Sequence, residues 1–97
     1  MKIMLTFQLH ENKLHDTLTM FSHMTTEQEQ ALMGEKLKLL GRWHNLVSGE
    51  GFALFECDSA EAVSAYALNW NKYMDLEAAV VVDDDEAKAI GNAMSSE

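Results

Sequence analysis

The chain has 97 residues, a length that suits one domain spanning residues 1–97, and 47% of them are hydrophobic. With 16 acidic against 7 basic residues its formal charge is −9, a field that repels phosphate backbones and anionic bilayers and so argues against nucleic acid and membranes as partners. Cys57 is the only cysteine, which excludes an intrachain disulfide; no apolar run is long enough to span a bilayer, and no signal-peptide core follows Lys2, so a cytoplasmic protein is expected.

Residues 3–9 alternate, with Ile3, Leu5, Phe7 and Leu9 on one face and Met4, Thr6 and Gln8 on the other, which predicts a first strand. Asn12 is the expected N-cap of a helix whose stripe is Leu14, Leu18, Phe21 and Met24. Thr26-Glu27-Gln28-Glu29 has capping-box spacing and predicts a second, short helix that Gly34 can end. Residues 36–46 read as a second strand. Strict alternation puts Leu37, Leu39, Gly41 and Trp43 on one of its faces and Lys38, Leu40, Arg42 and His44 on the other.

Ser48-Gly49-Glu50-Gly51 predicts a turn, and Phe52 to Cys57 a third strand in a hairpin with the second. Asp58 with Glu61 is a further capping pair, opening a helix that carries Val63, Tyr66, Ala67 and Trp70. Residues 76–82 read as a fourth strand, whose apolar run implies burial on both faces. Asp83-Asp84-Asp85-Glu86 suits the N-terminus of a short closing helix marked by Ala87, Ile90 and Met94. The order β-α-β-β-α-β is the split βαβ, or ferredoxin-like, α+β arrangement with an antiparallel four-stranded sheet. Helices cover one face of such a sheet, and a second copy related by a two-fold axis is the simplest cover for the other, so a homodimer is expected.

Chemistry concentrates around Gly41-Arg42-Trp43-His44. Arg42 is the only arginine, and a guanidinium on a sheet face can grip a carboxylate in a two-point contact. His44, on the same face, is a candidate proton carrier near neutral pH. The structural alternative pairs Arg42 with one of the many carboxylates and leaves His44 in solvent. Glu56 falls on an apolar strand face, where it needs a partner; Arg42 and His44 across the hairpin are the candidates, either tuning an acid or forming an internal salt bridge. His10 ends the first strand, where ligand clefts often open, and completes the catalytic candidates His44, His10 and Glu56. Phe21, Trp43, Trp70, Tyr66 and the seven methionines supply material for an apolar pocket, with Asn71 beside Trp70 at the end of its helix; ordinary core packing is the alternative for each. His10, His15, His23 and His44 show no metal-ligand spacing, since His15 and His23 stand about 12 Å apart along a helix. No metal or cofactor is expected, and no phosphate-cradling loop, nucleophile elbow or nucleotide fingerprint is present.

The Gly41-Arg42-Trp43-His44 string, with Gly51-Phe52-Ala53, Glu56, Trp70-Asn71 and the Val80-Val81-Val82-Asp83-Asp84 close, resembles a group of short bacterial proteins known only as a domain of unknown function. Residues 25–36 fit that likeness least and read as a local elaboration. The resemblance implies membership of the dimeric α/β-barrel, ferredoxin-like superfamily. That superfamily includes cofactor-independent monooxygenases, lactone isomerases, haem enzymes and stress-responsive binding proteins, which share a cleft between sheet and helices. It carries over no catalytic residue and nominates no haem ligand. The expectation is a small-molecule-binding homodimer whose cleft takes a fatty-acid-like or aromatic carboxylate, oriented by Arg42 and held by Trp43, Trp70, Phe21 and the methionines. A cofactor-free monooxygenase or isomerase using His44 or His10 with Glu56, and an interaction dimer without a pocket, are the alternatives.

Overall fold

Alternating apolar residues need a surface on each side of the pleat, and the antiparallel sheet supplies one for the odd-numbered residues of the first strand. In the computed structural model, which describes residues 1–95, the elements run β1 (Lys2–Leu9), α1 (Leu14–Ser22), α2 (Thr26–Met33), β2 (Lys38–Asn45), β3 (Glu50–Glu56), α3 (Ala60–Trp70), β4 (Met74–Val81) and α4 (Asp84–Ser95). The sheet order is β2-β3-β1-β4, every neighbour antiparallel, with β1 and β3 in the centre. This is the expected ferredoxin-like α+β fold, elaborated by α2 in the first crossover and α4 at the end.

The core lies between the sheet and the helices. Ile3, Leu5, Ala53 and Phe55 from the two central strands meet Leu37, Cys57 and Tyr66 there, and Leu32, Met33, Val63 and Trp70 pack around them. Phe55 is fully buried and meets the Tyr66 ring edge-on, centroids 5.3 Å apart. Truncating such a residue to alanine typically costs about 3–5 kcal/mol.

β2 departs from simple alternation. Leu39 pairs with Phe55, but Gly41, not Leu40, pairs with the next residue, Leu54. Leu40 is therefore the extra residue of a β-bulge, and the facing of the strand inverts at that point. Leu37 and Leu39 before the bulge and Arg42 and His44 after it all face the helices. Trp43 faces the other way, as expected, but does not share its face with Leu37 and Leu39.

Several helix caps fall one residue from their expected places. Asn12 is not an N-cap; it adopts a left-handed conformation, φ 64°, in the turn before α1, whose N-cap Lys13 makes no side-chain capping bond. The box at α2 is Thr25 with Gln28: the Thr25 hydroxyl accepts from the Gln28 amide at 3.1 Å, and the Gln28 side chain accepts from the Thr25 amide at 2.9 Å. Gly34 ends α2 at positive φ. Ser59, not Asp58, caps α3 by accepting from the Ala62 amide. At α4, Asp83 and Glu86 cap each other's backbone amides, and Lys2 reaches Glu86 at 2.9 Å. The backbone bond from Glu86 holds the Asp83 carboxyl below its ordinary range, and the Lys2 ammonium does the same for Glu86.

The expected two-sided burial of the fourth strand does not occur within the single chain. β4 is an edge strand; Val80 is 65% exposed, and the face away from the helices carries Asp75 and Glu77 beside Ala79 and Val81. α4 buries no residue and leaves Ile90 and Met94 exposed. The radius of gyration, 15.7 Å, exceeds the roughly 12.5 Å of a compact chain of this length, as a projecting helix requires. No helix among the described residues is long and apolar enough to cross a membrane.

Candidate functional site

The bulge in β2 delivers Arg42 and His44 to the helix side of the sheet, where α1 and α3 do not close fully over the strands. The gap is an apolar cavity of about 70 Å³. Its floor is Leu5, Phe7, Ala53 and Leu76 from the sheet; its walls are Leu14, Leu18 and Phe21 of α1 and Tyr66 and Trp70 of α3. Exposed His44 and Leu46 place its mouth beside the β2–β3 hairpin. The stripe Leu14-Leu18-Phe21 and the pair Tyr66-Trp70 reach one space because each is helically spaced on a face turned to the sheet.

Arg42 joins three helices. Its Nη1 donates to Glu29 Oε1 of α2 at 2.9 Å and its Nη2 to the Tyr66 hydroxyl of α3 at 3.2 Å, while its guanidinium carbon lies 5.2 Å from the centroid of the Phe21 ring of α1. The Arg42 side chain is 14% exposed and that of Glu29 27%, so the pair is far drier than a surface salt bridge. Burial pushes the Tyr66 hydroxyl pKa up, and the cation beside it opposes that rise. His44 sits against the rings of Phe7 and Phe21, centroids 5.8 and 5.4 Å away. Desolvation first, and the Arg42 charge second, lower its pKa, so its imidazole is neutral at pH 7 and can accept a proton.

Two polar atoms in the cavity wall are buried without a partner: the Thr17 hydroxyl and the Trp70 indole nitrogen, which leans towards the Tyr66 hydroxyl without reaching hydrogen-bond geometry. Buried polar atoms are almost always satisfied, so two in one apolar wall mark it as unusual.

The chain belongs to the DUF3303 family. The family model, described as a domain of unknown function, matches residues 1–95. No curated protein matches the chain.

Of the residues expected at a site in this DUF3303 domain, Arg42, His44, Phe21 and Trp70 come together around the cavity. Trp43 does not join them: it stacks on Phe52 across the opposite face of the sheet, centroids 5.2 Å apart. Glu56 bonds neither Arg42 nor His44; it lies opposite Lys38, outside the cavity, and accepts from the Met1 ammonium at 2.9 Å. His10 lies outside the cavity lining, its Nε2 3.0 Å from Asp75 Oδ1. Asn71 is exposed as the C-cap of α3. Of the methionines only Met74 lines the cavity. Three contributors were not expected: Glu29, Thr17 and Phe7. Phe7 was readable from its place in the β1 alternation, and the lone arginine signalled that some carboxylate would seek it, but nothing local singled out Glu29 or Thr17.

Proposed function

We propose that this chain is a cytoplasmic homodimer that binds a small apolar molecule bearing a carboxylate, in the cavity between the sheet and helices α1 and α3. The observation that carries this reading is the unpartnered Thr17 hydroxyl, 6% exposed, in the wall of an apolar space that also holds the guanidinium of Arg42. Leaving a buried hydroxyl unmade costs about 1–3 kcal/mol, a cost that a ligand oxygen within reach would remove. The apolar walls take the body of the ligand, and Arg42 offers the only guanidinium in the chain. The exposed apolar sheet face around Trp43 and Phe52, and the uncovered Val80 and Ile90, support pairing with a second copy. Native mass spectrometry of freshly purified protein, followed by organic extraction, tests both parts. A dimer that releases an apolar acid is expected; a monomer overturns the dimer, and an empty dimer that no aromatic or aliphatic acid stabilises against heat favours a purely structural role.

The placement of His44 favours a second reading, a cofactor-independent monooxygenase or isomerase. A neutral imidazole at the cavity mouth beside a cation can take a proton from a bound substrate. On that reading His44→Ala abolishes turnover of a bound acid and leaves its binding intact; unchanged turnover removes His44 from the chemistry.

A further inference from the structure

We infer that Glu29 is an internal stand-in for the ligand's carboxylate, and that an entering acid exchanges with it on Arg42 and releases helix α2. The inference rests on the carboxylate-binding reading of the cavity. As it stands the cavity is closed to the ligands that reading requires. Its 70 Å³ is about half the ~150 Å³ of an apolar cavity that holds a benzene ring. The one guanidinium is also already engaged, by Glu29 at 2.9 Å. Occupancy by any ligand of that size therefore needs the cavity wall to yield, and occupancy by an acid needs in addition a free Arg42, which the departure of Glu29 provides.

The attachment of α2 suits such an exchange. α2 has no buried residue. Among the described residues two polar contacts tie it to the sheet and α3: the Glu29–Arg42 pair, and a long 3.5 Å contact from Asn69 Nδ2 to the Leu32 carbonyl. Leu32 and Met33 pack on the core at its C-terminal end, whereas Glu29 is the tie of its N-terminal half. The Thr25–Gln28 capping box is made within the helix, so α2 keeps it when Glu29 lets go. A half-buried guanidinium is costly to leave unpaired, which is why the unliganded protein supplies its own carboxylate. A ligand that brings one meets a binding-competent state populated only to the extent that Glu29 has already left, and its apparent affinity falls by that fraction.

The test compares benzoate with benzyl alcohol, a neutral probe of similar shape, by titration calorimetry on the wild-type protein, Glu29→Gln and Glu29→Ala. Amide hydrogen exchange of α2 is followed in the wild type with and without benzoate. Benzoate is expected to bind both variants at least about tenfold more tightly than wild type, benzyl alcohol to bind all three alike, and the amides at the start of α2 to exchange faster when benzoate is bound to wild type. Equal benzoate affinity in all three proteins, or slower α2 exchange in the complex, overturns the displacement of Glu29 and leaves the binding cavity standing. Benzyl alcohol binding without benzoate binding in any of the three overturns both the displacement and the carboxylate class. No binding of either probe overturns the cavity reading itself.

Discussion

The ring of Phe7 occupies the space that a β-carbon on Gly51, its antiparallel partner on β3, would need. The backbone carbonyl of Trp43 blocks the same space from the other side, and it belongs to the β2–β3 ladder and cannot step aside. Gly51→Ala is therefore expected to destabilise the protein by about 1–3 kcal/mol in urea unfolding, more than the roughly 0.4–1 kcal/mol gained by stiffening the unfolded chain. It also tilts Phe7 into the cavity. A variant as stable as wild type would show that the ladder yields more easily than its geometry implies.

Gly41 offers a contrast. There the obstacle to a β-carbon is the far edge of the Trp43 indole, a side chain 53% exposed and free to swing into solvent. Gly41→Ala is expected to change stability by less than about 1 kcal/mol, the displaced ring offsetting little of its own burial. Its signature is optical: with Trp43 lifted off Phe52, tryptophan emission shifts to the red. An unchanged spectrum would place the ring elsewhere in solution.

The Thr17 hydroxyl has no partner, so the empty protein gains by losing it. Thr17→Val keeps the shape and removes the unsatisfied oxygen, and is expected to stabilise the ligand-free protein by about 1 kcal/mol. For a domain of this size that is a rise in Tm of roughly 4–8 °C. The same substitution weakens retention of any ligand whose oxygen meets that hydroxyl. A fall in Tm would mean that the hydroxyl is satisfied in solution.

His44 sets a pH dependence. Its pKa in the folded protein lies below the ordinary 6.5, through desolvation and the neighbouring Arg42 charge, so on acidification the unfolded chain takes up this proton first. Its contribution to stability is thus complete above the unfolded value and declines as pH falls through that value towards the folded one. Urea unfolding between pH 5 and 8 should show stability rising with pH, and His44→Gln should flatten that slope. An equal slope in the variant would assign the proton uptake to another group.

The strands with intact alternation were legible residue by residue. β1 shows its period of two without interruption, so the alternation puts Ile3, Leu5 and Phe7 on one face, and that face is the core side. β2 could not be read the same way, because a bulge leaves no local mark; Leu39, Leu40 and Gly41 alternate plausibly in either frame. The correct pairing of Arg42 with His44 on one face survived because both lie on the same side of the bulge. Trp43 was misassigned to the pocket for want of knowing which face the helices cover. Glu29 meets Arg42 from a helix 13 residues away, and sequence offers 16 acidic residues without ranking them. The two-sided burial expected of residues 76–82 is not met within the single chain, where β4 is an edge strand; an apolar run cannot report how many neighbours a strand has.

Leu40 acts as a spacer that divides β2 into two independently phased halves. The leucines ahead of it keep their contact with the core whatever stands behind it, and the half behind it decides which chemistry reaches the cavity. Were Leu40 paired in the ladder as an ordinary residue, the half behind it would slip by one position and turn over, carrying the indole of Trp43 inward and the guanidinium and imidazole out to the opposite surface. The composition of this site is thus written less in which residues β2 contains than in a count of one.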